Sequence, residues 1–409
     1  MVHKLTKLET AKNKLIKLIS SKNCKTKVSV NEATQRINYN LIKSTINLPE
    51  TLNSAVDGYG ILHKSLIKNP KTEFEVVGVA KAGFPFNNKI KINQAIEIYT
   101  GSILPKGVDT VVMQENCKRK GSKVIIKEDI KVKQNVRPIG ENLKKGELIV
   151  KKGEILNSSN IGQLSASGIN KIEVYDKIKI SIISTGNELI DSRYSKIING
   201  QIYDSNRPML KSLFQTNNTE IIDMGIVKDN RSDLASKYLD SLSKSDVVIS
   251  TGGASEGVED HTQNALRDIG AESLVWQLAM KPGKPMGIGM IQKKLIFCLP
   301  GNPVAAFVCS KLLINPIINK LAGGINLNPV FFKLPSGFEH KKKIGRTEFL
   351  RAKINNSSSK SEIILHGRKG AGVISSLIGA DGLVEIPYDS IEVKKGELLK
   401  FYPFDHRSI

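Results

Sequence analysis

The strongest constraint on the fold is a regular alternation of short apolar runs and amphipathic segments that begins near residue 177. The alternation predicts strands at 179–184, 220–227, 246–250 and 294–299, and helices at 206–216, 231–242, 261–269 and 303–321. Strands that alternate with helices form right-handed βαβ units, which build a doubly wound parallel sheet. Because such sheets bind ligands at the carboxyl ends of their strands, we expect a functional site there.

The segments on either side of this unit follow other patterns. Short Val- and Ile-rich runs separated by glycines and polar turns predict a small all-β module with strands at 74–79, 95–99, 110–114 and 124–126. The C-terminal part predicts a compact β domain with strands at 330–333, 348–354, 363–365, 382–386 and 397–401. Apolar residues at helical spacing predict an N-terminal amphipathic helix within 5–19 that has a polar face of lysines, and a second helix is predicted at 158–167.

Composition narrows the classes of function. The chain has 61 lysines and arginines against 39 aspartates and glutamates, a formal charge of +22. The lysines are scattered among acids and asparagines, so we expect attraction for small anions and no nucleic-acid binding. Four separated cysteines and six dispersed histidines favour reduced thiols and no Cys- or His-ligated metal. With no signal peptide and no apolar run of ~18 residues, we expect a cytoplasmic protein that does not contact membranes.

A glycine-rich loop at residues 250–257 follows the predicted strand 246–250 and leads into a predicted helix. Adjacent glycines, Gly252 and Gly253, let backbone N–H groups approach an oxyanion, and the start of a helix carries partial positive charge. The loop therefore has the form of a phosphate cradle that includes Ser255. A pair of glycines can also simply turn the chain, and Asp260 can be the helix N-cap.

Two proline-containing segments are further candidates for binding anions. Residues 281–285 hold Lys281 and Lys284 on a stiff backbone, which suits a tetrahedral dianion or a pyrophosphate, although the segment could also be a surface turn. Residues 299–303 end a predicted strand and open the helix 303–321. Asn302 as N-cap and Pro303 as first helical residue would explain that motif by capping alone, and an anion at the helix start is also compatible.

Four carboxylates lie at predicted loop positions, namely Asp57, Glu188, Asp204 and Asp229. Carboxylate oxygens that converge would suit Mg²⁺. Each residue by itself is equally explained as a cap or a turn, so the sequence leaves both interpretations open.

Together these segments resemble one family. Eight motifs occur in the order typical of the MoeA-type molybdopterin molybdenumtransferases, the family that includes the E domain of gephyrin: 53–59, 99–101, 111–115, 184–189, 200–207, 247–253, 281–285 and 299–303. The resemblance extends over essentially the whole chain.

The resemblance implies a multidomain α/β fold in an elongated homodimer with four domains per subunit. The expected domains are a discontinuous N-terminal mixed α/β domain, an inserted small β domain, a doubly wound molybdopterin-binding domain and a C-terminal β domain, at 1–48 with 139–176, 49–138, 177–326 and 327–409. Molybdopterin adenylyltransferase and molybdoenzyme apoproteins are expected as further partners.

The resemblance also implies a molybdenum insertase that uses Mg²⁺. Members take adenylylated molybdopterin and molybdate, cleave the phosphoanhydride, and yield molybdenum cofactor and AMP. One alternative is a molybdopterin adenylyltransferase, which uses a similar βαβ domain. The other is a non-catalytic scaffold that retains the insertase fold.

The family's site residues carry over by motif. The expected catalytic residues are Asp57, Thr100, Glu188, Asp229 and Asp260. Mg²⁺ ligands are expected at Glu188, Asp229 and Asp260. The expected substrate-binding residues are Asp204, Gly252, Gly253, Ser255, Lys281, Lys284, Pro300, Gly301, Asn302 and Pro303.

The sequence departs from the family pattern at several of these motifs. Asn142 and Asn187 stand where the family usually has Asp, which removes two negative charges and is expected to lower the affinity for a metal. Leu52 replaces the Asp of the usual Asp-Asn-Ser, and Glu256 lies within the usual Ser-x-Gly. The two amides at 142 and 187 keep the scaffold alternative open.

Overall fold

The structure is a computed structural model, and it describes residues 5–68, 73–127, 129–193, 196–253, 261–356 and 361–404. Three six-stranded sheets organise these residues, one each in the inserted, central and C-terminal parts of the chain. The domain boundaries given above stay a prediction.

The central sheet confirms the predicted doubly wound arrangement and adds an antiparallel edge. Its strands follow the order Thr219–Val227, Ile178–Thr185, Val247–Thr251, Lys294–Leu299, Gly287–Ile291 and Glu272–Trp276. The first four are parallel, whereas the last two are antiparallel to their neighbours. The fifth strand, Gly287–Ile291, was not predicted from the sequence, because Gly287 and Gly289 weaken its strand pattern. An added Cβ at Gly287 would lie 2.2 Å from the Trp276 ring, so the glycine allows the two edge strands to pack closely.

Three of the parallel strands, Ile178–Thr185, Val247–Thr251 and Lys294–Leu299, are buried almost throughout, as parallel strands covered on both faces usually are. The edge strand Thr219–Val227 is only partly buried. Alternate residues point to two separate cores: Ile182, Ile249 and Phe297 enter one, and Ile183, Val248 and Ile296 enter the other. The covering helices are Asn206–Phe214, Arg231–Lys244 and His261–Asp268, followed by the segment 303–321.

The segment 303–321 is helical throughout but changes its winding. Pro303–Cys309 and Asn315–Leu321 are α-helical, and a π-helical turn at Ser310–Ile314 joins them just before Pro316. Within the described residues this is the one helix long and apolar enough to cross a membrane, and 67% of its most apolar window is buried in the fold. Such burial is typical of a core helix.

The inserted part forms a six-stranded sheet around two small cores. Its strands follow the order Thr110–Met113, Gly58–Ile61, Gln94–Ile98, Glu73–Ala80, Lys123–Ile126 and Cys117–Lys120. All four predicted strands are present within a residue or two of their predicted ends. Short helices occur at Lys64–Lys68 and Gln114–Asn116.

The N-terminal part joins chain segments that are distant in sequence. Lys25–Ser29 pairs with Lys171–Tyr175, Ile42–Lys43 with Leu148–Val150, and Asn53–Ser54 with Val136–Arg137. The helices are Leu8–Leu18, Val30–Glu32 and Ser158–Ala166. The N-terminus of the last helix is capped by a capping box between Asn157 and Asn160. The expected lysine face of the first helix needs a correction, because Lys12 is buried and bonded to Glu9 and Asn328.

The C-terminal sheet includes a strand from the central part of the chain. Its order is Met280–Lys281, Thr347–Asn355, Gly382–Ile386, Leu398–Pro403 and Phe332–Pro335, with Glu362–Leu365 added beside Thr347–Asn355. His340–Lys341 pairs with Glu392–Val393, and a helical turn lies at Ile374–Leu377. The short strand Met280–Lys281 pairs in parallel with Thr347 and Glu348, so it attaches the segment 281–285, which holds Lys281 and Lys284, to the C-terminal sheet.

Candidate functional site

A cavity of about 1540 Å³ lies between the carboxyl edge of the central sheet and the C-terminal sheet. The position agrees with the rule that doubly wound sheets bind ligands at this edge. The cavity brings together eleven of the predicted site residues: Glu188, Asp204, Asp229, Gly252, Gly253, Lys281, Lys284, Pro300, Gly301, Asn302 and Pro303.

Asp57 and Thr100 do not line this cavity, because they lie in loops of the inserted part, just before the strand Gly58–Ile61 and just after the strand Gln94–Ile98. The backbone N–H and the hydroxyl of Thr100 both donate to Asp57 Oδ1, each over 2.7 Å. The backbone N–H first, and then the hydroxyl, hold the pKa of Asp57 below its usual value. The structure therefore makes these two residues a hydrogen-bonded pair on a separate, exposed surface. Ser255, Glu256 and Asp260 lie outside the described residues.

Both glycines of the loop are needed for its close packing. Gly252 has φ +98° and Gly253 has φ +67°, in the left-handed region that favours glycine. An added Cβ at Gly252 would lie 2.0 Å from the carbonyl oxygen of Thr185. The loop can therefore pack this tightly against the end of the neighbouring strand only without side chains at these positions.

Several buried polar atoms surround Gly253 without a hydrogen-bond partner among the described residues. They are Thr185 Oγ1, Asp229 Oδ1 and Thr262 Oγ1. An added Cβ on Gly253 would lie 2.6 Å from Thr262 Oγ1 and 3.3 Å from Asp229 Oδ1, which shows how closely the groups converge. Since buried polar atoms are normally satisfied, this cluster indicates a place for a polar ligand.

Asn206 joins two loops of the cavity wall. Its Nδ2 donates over 2.8 Å to Thr251 Oγ1 and to the carbonyl of Gly301, and Thr251 Oγ1 donates to the carbonyl of Pro300. Asn302 is in the N-cap position and Pro303 is the first helical residue, as predicted, but the Asn302 side chain makes no capping hydrogen bond with the described residues. Its Oδ1 instead lies near Gly372, where the C-terminal part closes against the helix start.

Asp204 is part of a buried ion network. The backbone N–H and the Nε of Arg207 donate to the two carboxylate oxygens of Asp204. Its Nη2 pairs with Asp191 and its Nη1 with Asp223, each at 2.6 Å. Burial works to raise the pKa of Asp223, but hydrogen bonds from Lys211 and Arg207 outweigh it and lower the pKa to about 2. Because both oxygens of Asp204 are already bonded, this residue fixes the shape of the cavity rim.

The C-terminal part adds a basic wall that the sequence motifs did not reveal. The side chains that line it include Lys341, Lys342, Lys343, Arg346, Arg351 and Lys369. The sequence features that could have indicated this wall are the basic run 340–343 and the glycine-rich segment 367–372. Only the fold shows that they line the same cavity as the glycine loop. A cavity with so many cations suits a ligand with several negative charges.

Buried Arg351 shapes part of this wall. Its Nε donates to Ser376 Oγ over 3.0 Å, and another nitrogen donates to the carbonyl of Arg368 over 2.9 Å. Burial lowers the pKa of Arg351. Arg351 therefore holds the segment 367–372 in place against the cavity.

The fold and the cavity define a multidomain α/β protein with a cavity between two sheets that is lined by many cationic side chains. Residues 6–168 match the MoeA N-terminal region (domain I and II), residues 181–320 match a probable molybdopterin binding domain, and residues 333–404 match the MoeA C-terminal region (domain IV). The chain belongs to the MoeA-type molybdopterin molybdenumtransferase family, whose role is in molybdenum cofactor biosynthesis.

Individual relatives agree over nearly the full length. A molybdopterin molybdenumtransferase of Haemophilus influenzae is 32% identical over 402 residues, which is 98% of each chain. A putative molybdopterin biosynthesis protein of Methanocaldococcus jannaschii is 34% identical over 385 residues, covering 92% of this chain and 91% of the relative. The crystal structure of a molybdopterin biosynthesis MoeA protein from Pyrococcus horikoshii matches with a TM-score of 0.85 and 29% identity, covering 98% and 100% of the two chains.

Proposed function

We propose that this protein is a molybdenum insertase that transfers molybdenum from molybdate to adenylylated molybdopterin and releases AMP. The observation that carries the proposal is the cluster of buried polar atoms at the glycine loop that no described residue bonds, next to a cavity lined by cations. The hydroxyls of Thr185 and Thr262 have no hydrogen-bond partner among the described residues, so they can bond phosphate oxygens. Lys281 and Lys284 line the same cavity and supply the positive charge that an oxyanion needs.

The residues present also fit a Mg²⁺ ion. Asp229 offers a buried carboxylate oxygen that has no partner in the part of the chain the structure describes, and Glu188 lines the same cavity. Among the described residues no three His, Cys, Asp or Glu side chains form a metal cage. Mg²⁺ does not require one, because it commonly takes one or two carboxylates together with substrate phosphates and waters. When bound, Mg²⁺ neutralises phosphate charge during cleavage of the phosphoanhydride.

The assembly proposed is a homodimer whose active site is shared. Asp57 and Thr100 lie outside the cavity of their own subunit, which supports a site completed by the inserted part of a second subunit. Molybdopterin adenylyltransferase and molybdoenzyme apoproteins are proposed as transient partners, and the cytoplasm as the location.

The test is a reaction of the purified protein with adenylylated molybdopterin, molybdate and Mg²⁺, followed by AMP release. We expect AMP to form only when molybdate and Mg²⁺ are both present, and Asp229→Asn to abolish its formation. An adenylyltransferase would instead consume ATP and molybdopterin and release pyrophosphate. A scaffold would give neither product, and either of these results would contradict the proposal.

A further inference from the structure

The short strand Met280–Lys281 fixes the backbone position of Lys281, the first of the two lysines in the segment 281–285. It pairs in parallel with Thr347–Asn355, so that Met280 is opposite Thr347 and Lys281 opposite Glu348. Residues that are opposite each other in a sheet on the same face have side chains within contact distance. The C-terminal sheet therefore brings a carboxylate to the lysine of the other part of the chain.

The side chains of the two residues are in contact. Lys281 Nζ donates to Glu348 Oε1 over 3.0 Å, and His340 Nε2 lies 2.9 Å from Glu348 Oε2. The Glu348 side chain is only 8% exposed, whereas the Lys281 side chain is 56% exposed and lines the cavity. The carboxylate is thus held from both sides, and the lysine retains further N–H groups that are not bonded to Glu348.

The surroundings keep the Glu348 carboxylate charged. Burial works to raise its pKa, but hydrogen bonds from His340 and Lys281 outweigh burial and leave the pKa below its usual value. Lys342 lies near this carboxylate, and its Nζ donates to the carbonyls of Pro387, Tyr388 and Ser390. With Lys342 occupied elsewhere, Lys281 and His340 are the side chains that bond the Glu348 carboxylate among the described residues.

We propose that Glu348 is a positioning residue that holds Lys281 in the orientation needed to bind an oxyanion, and that His340 in turn holds Glu348. The proposal rests on the proposed function, in which Lys281 binds molybdate. An untethered lysine has many side-chain conformations, and fixing one of them in advance favours binding. Glu348 therefore acts through Lys281 without touching the substrate.

The experiment measures molybdate binding to the purified protein by calorimetry, without molybdopterin. We expect Glu348→Gln to weaken binding roughly tenfold, near the lower end of the effect of losing one charge-assisted hydrogen bond. Lys281→Ala should weaken binding at least as much. In the Lys281→Ala background, Glu348→Gln should have no further effect, because a residue that acts through Lys281 is silent without it.

Two comparisons separate positioning from general stability. Glu385 is a matched control, because it lies on the same sheet, pairs with Lys400 and accepts from Tyr402, and does not line the cavity. Glu385→Gln should leave molybdate binding unchanged. His340→Gln keeps an N–H donor and should bind nearly as wild type, whereas His340→Ala should bind more weakly.

Specific results would overturn the proposal. Tighter molybdate binding by Glu348→Gln would show that the carboxylate only neutralises the lysine. Equal and additive effects of Glu348→Gln and Lys281→Ala would show independent roles, and no binding of molybdate by wild type would remove the role of Lys281. Because calorimetry needs no turnover, a protein that binds molybdate but releases no AMP would contradict the proposed function alone.

Discussion

The side-chain oxygen of Asn187 accepts a hydrogen bond of 3.1 Å from the backbone N–H of Asp229. This contact joins the loop after one strand of the central sheet to the loop after its neighbour. An amide oxygen makes the contact as well as a carboxylate oxygen would. The contact therefore shows that Asn187 keeps this backbone hydrogen bond at a position where the family resemblance predicts Asp, but without the negative charge.

We predict that Asn187→Asp lowers the Mg²⁺ concentration needed for half-maximal AMP release. The carboxylate keeps the bond to Asp229 and adds a negative charge beside the proposed cation site. A Mg²⁺ titration of both proteins provides the measurement, with the melting temperature as the control for folding. An unchanged or higher Mg²⁺ requirement would place position 187 outside the influence of the metal. Neither Asn187 nor Asn142 lines the cavity, but Asn187 bonds to Asp229, whereas the backbone N–H of Asn142 donates to Leu48. Asn142→Asp therefore gives a comparison in the same titration.

We predict that Lys281→Ala and Lys284→Ala each raise the molybdate concentration needed for half-maximal rate. Charge-assisted hydrogen bonds contribute about 1.5 to 3 kcal/mol each, so a tenfold change or more is expected. Lys25→Ala is the control, because Lys25 pairs with Glu173 and neither residue lines the cavity. An unchanged molybdate dependence in both variants would mean that the segment is only a structural turn.

We predict that subunits inactivated at different places restore each other. Asp57→Ala and Asp229→Ala alter residues that one subunit does not bring into the same cavity. Mixing the two inactive proteins should give heterodimers with one intact site and measurable AMP release. The same test applies to Asp57→Ala with Asp260→Ala. Failure to recover activity, after subunit exchange is verified by mass, would contradict a shared site.

We predict that Arg207→Ala destabilises the fold by about 3 to 5 kcal/mol at neutral pH, since it leaves the buried Asp204 carboxylate without its partner. Denaturant unfolding measures the change. Arg231→Ala is the control, because its pair with Asp268 is exposed and should contribute about 1 kcal/mol or less. Losses of equal size would contradict the importance of the buried network.

The same network gives a pH dependence. The pKa of Asp223 is about 2 in the fold, below its ordinary value of 3.8, so the ion pair stabilises the fold above that ordinary value. This stability is lost as pH falls from about 4 towards 2. Arg207→Ala should show a shallower loss of stability over that interval than wild type, measured as the melting temperature at each pH.

We predict that Cys24 reacts with a thiol reagent in the native protein, since it is exposed. Cys309 is buried, and burial raises the pKa of its thiol to about 12, which disfavours the reactive thiolate. Cys298 is also buried. Labelling followed by peptide mass mapping should therefore find Cys298 and Cys309 modified only after unfolding. Native labelling of Cys309 would contradict the packing of the helix that carries it.

The sequence by itself determined the local elements and the family. The strand at Lys294–Leu299 and the helix starts at Asn206, Arg231 and His261 were predictable, because periodicity and turn residues act over a few neighbouring positions. The motifs that hold Gly252, Gly253 and the two lysines were also visible, because their chemistry depends on residues close together in the chain.

Only the tertiary structure decided which residues meet. The pairing of Lys281 with Glu348, the hydrogen bond from Asn206 to the carbonyl of Gly301, and the separation of Asp57 from the cavity depend on contacts between distant segments. The basic wall opposite the glycine loop has the same origin. Such contacts form because burying apolar faces between sheets outweighs the entropy of closing long loops. That balance of free energies depends on all the contacts of the folded chain at once, so it cannot be predicted from a local pattern of residues.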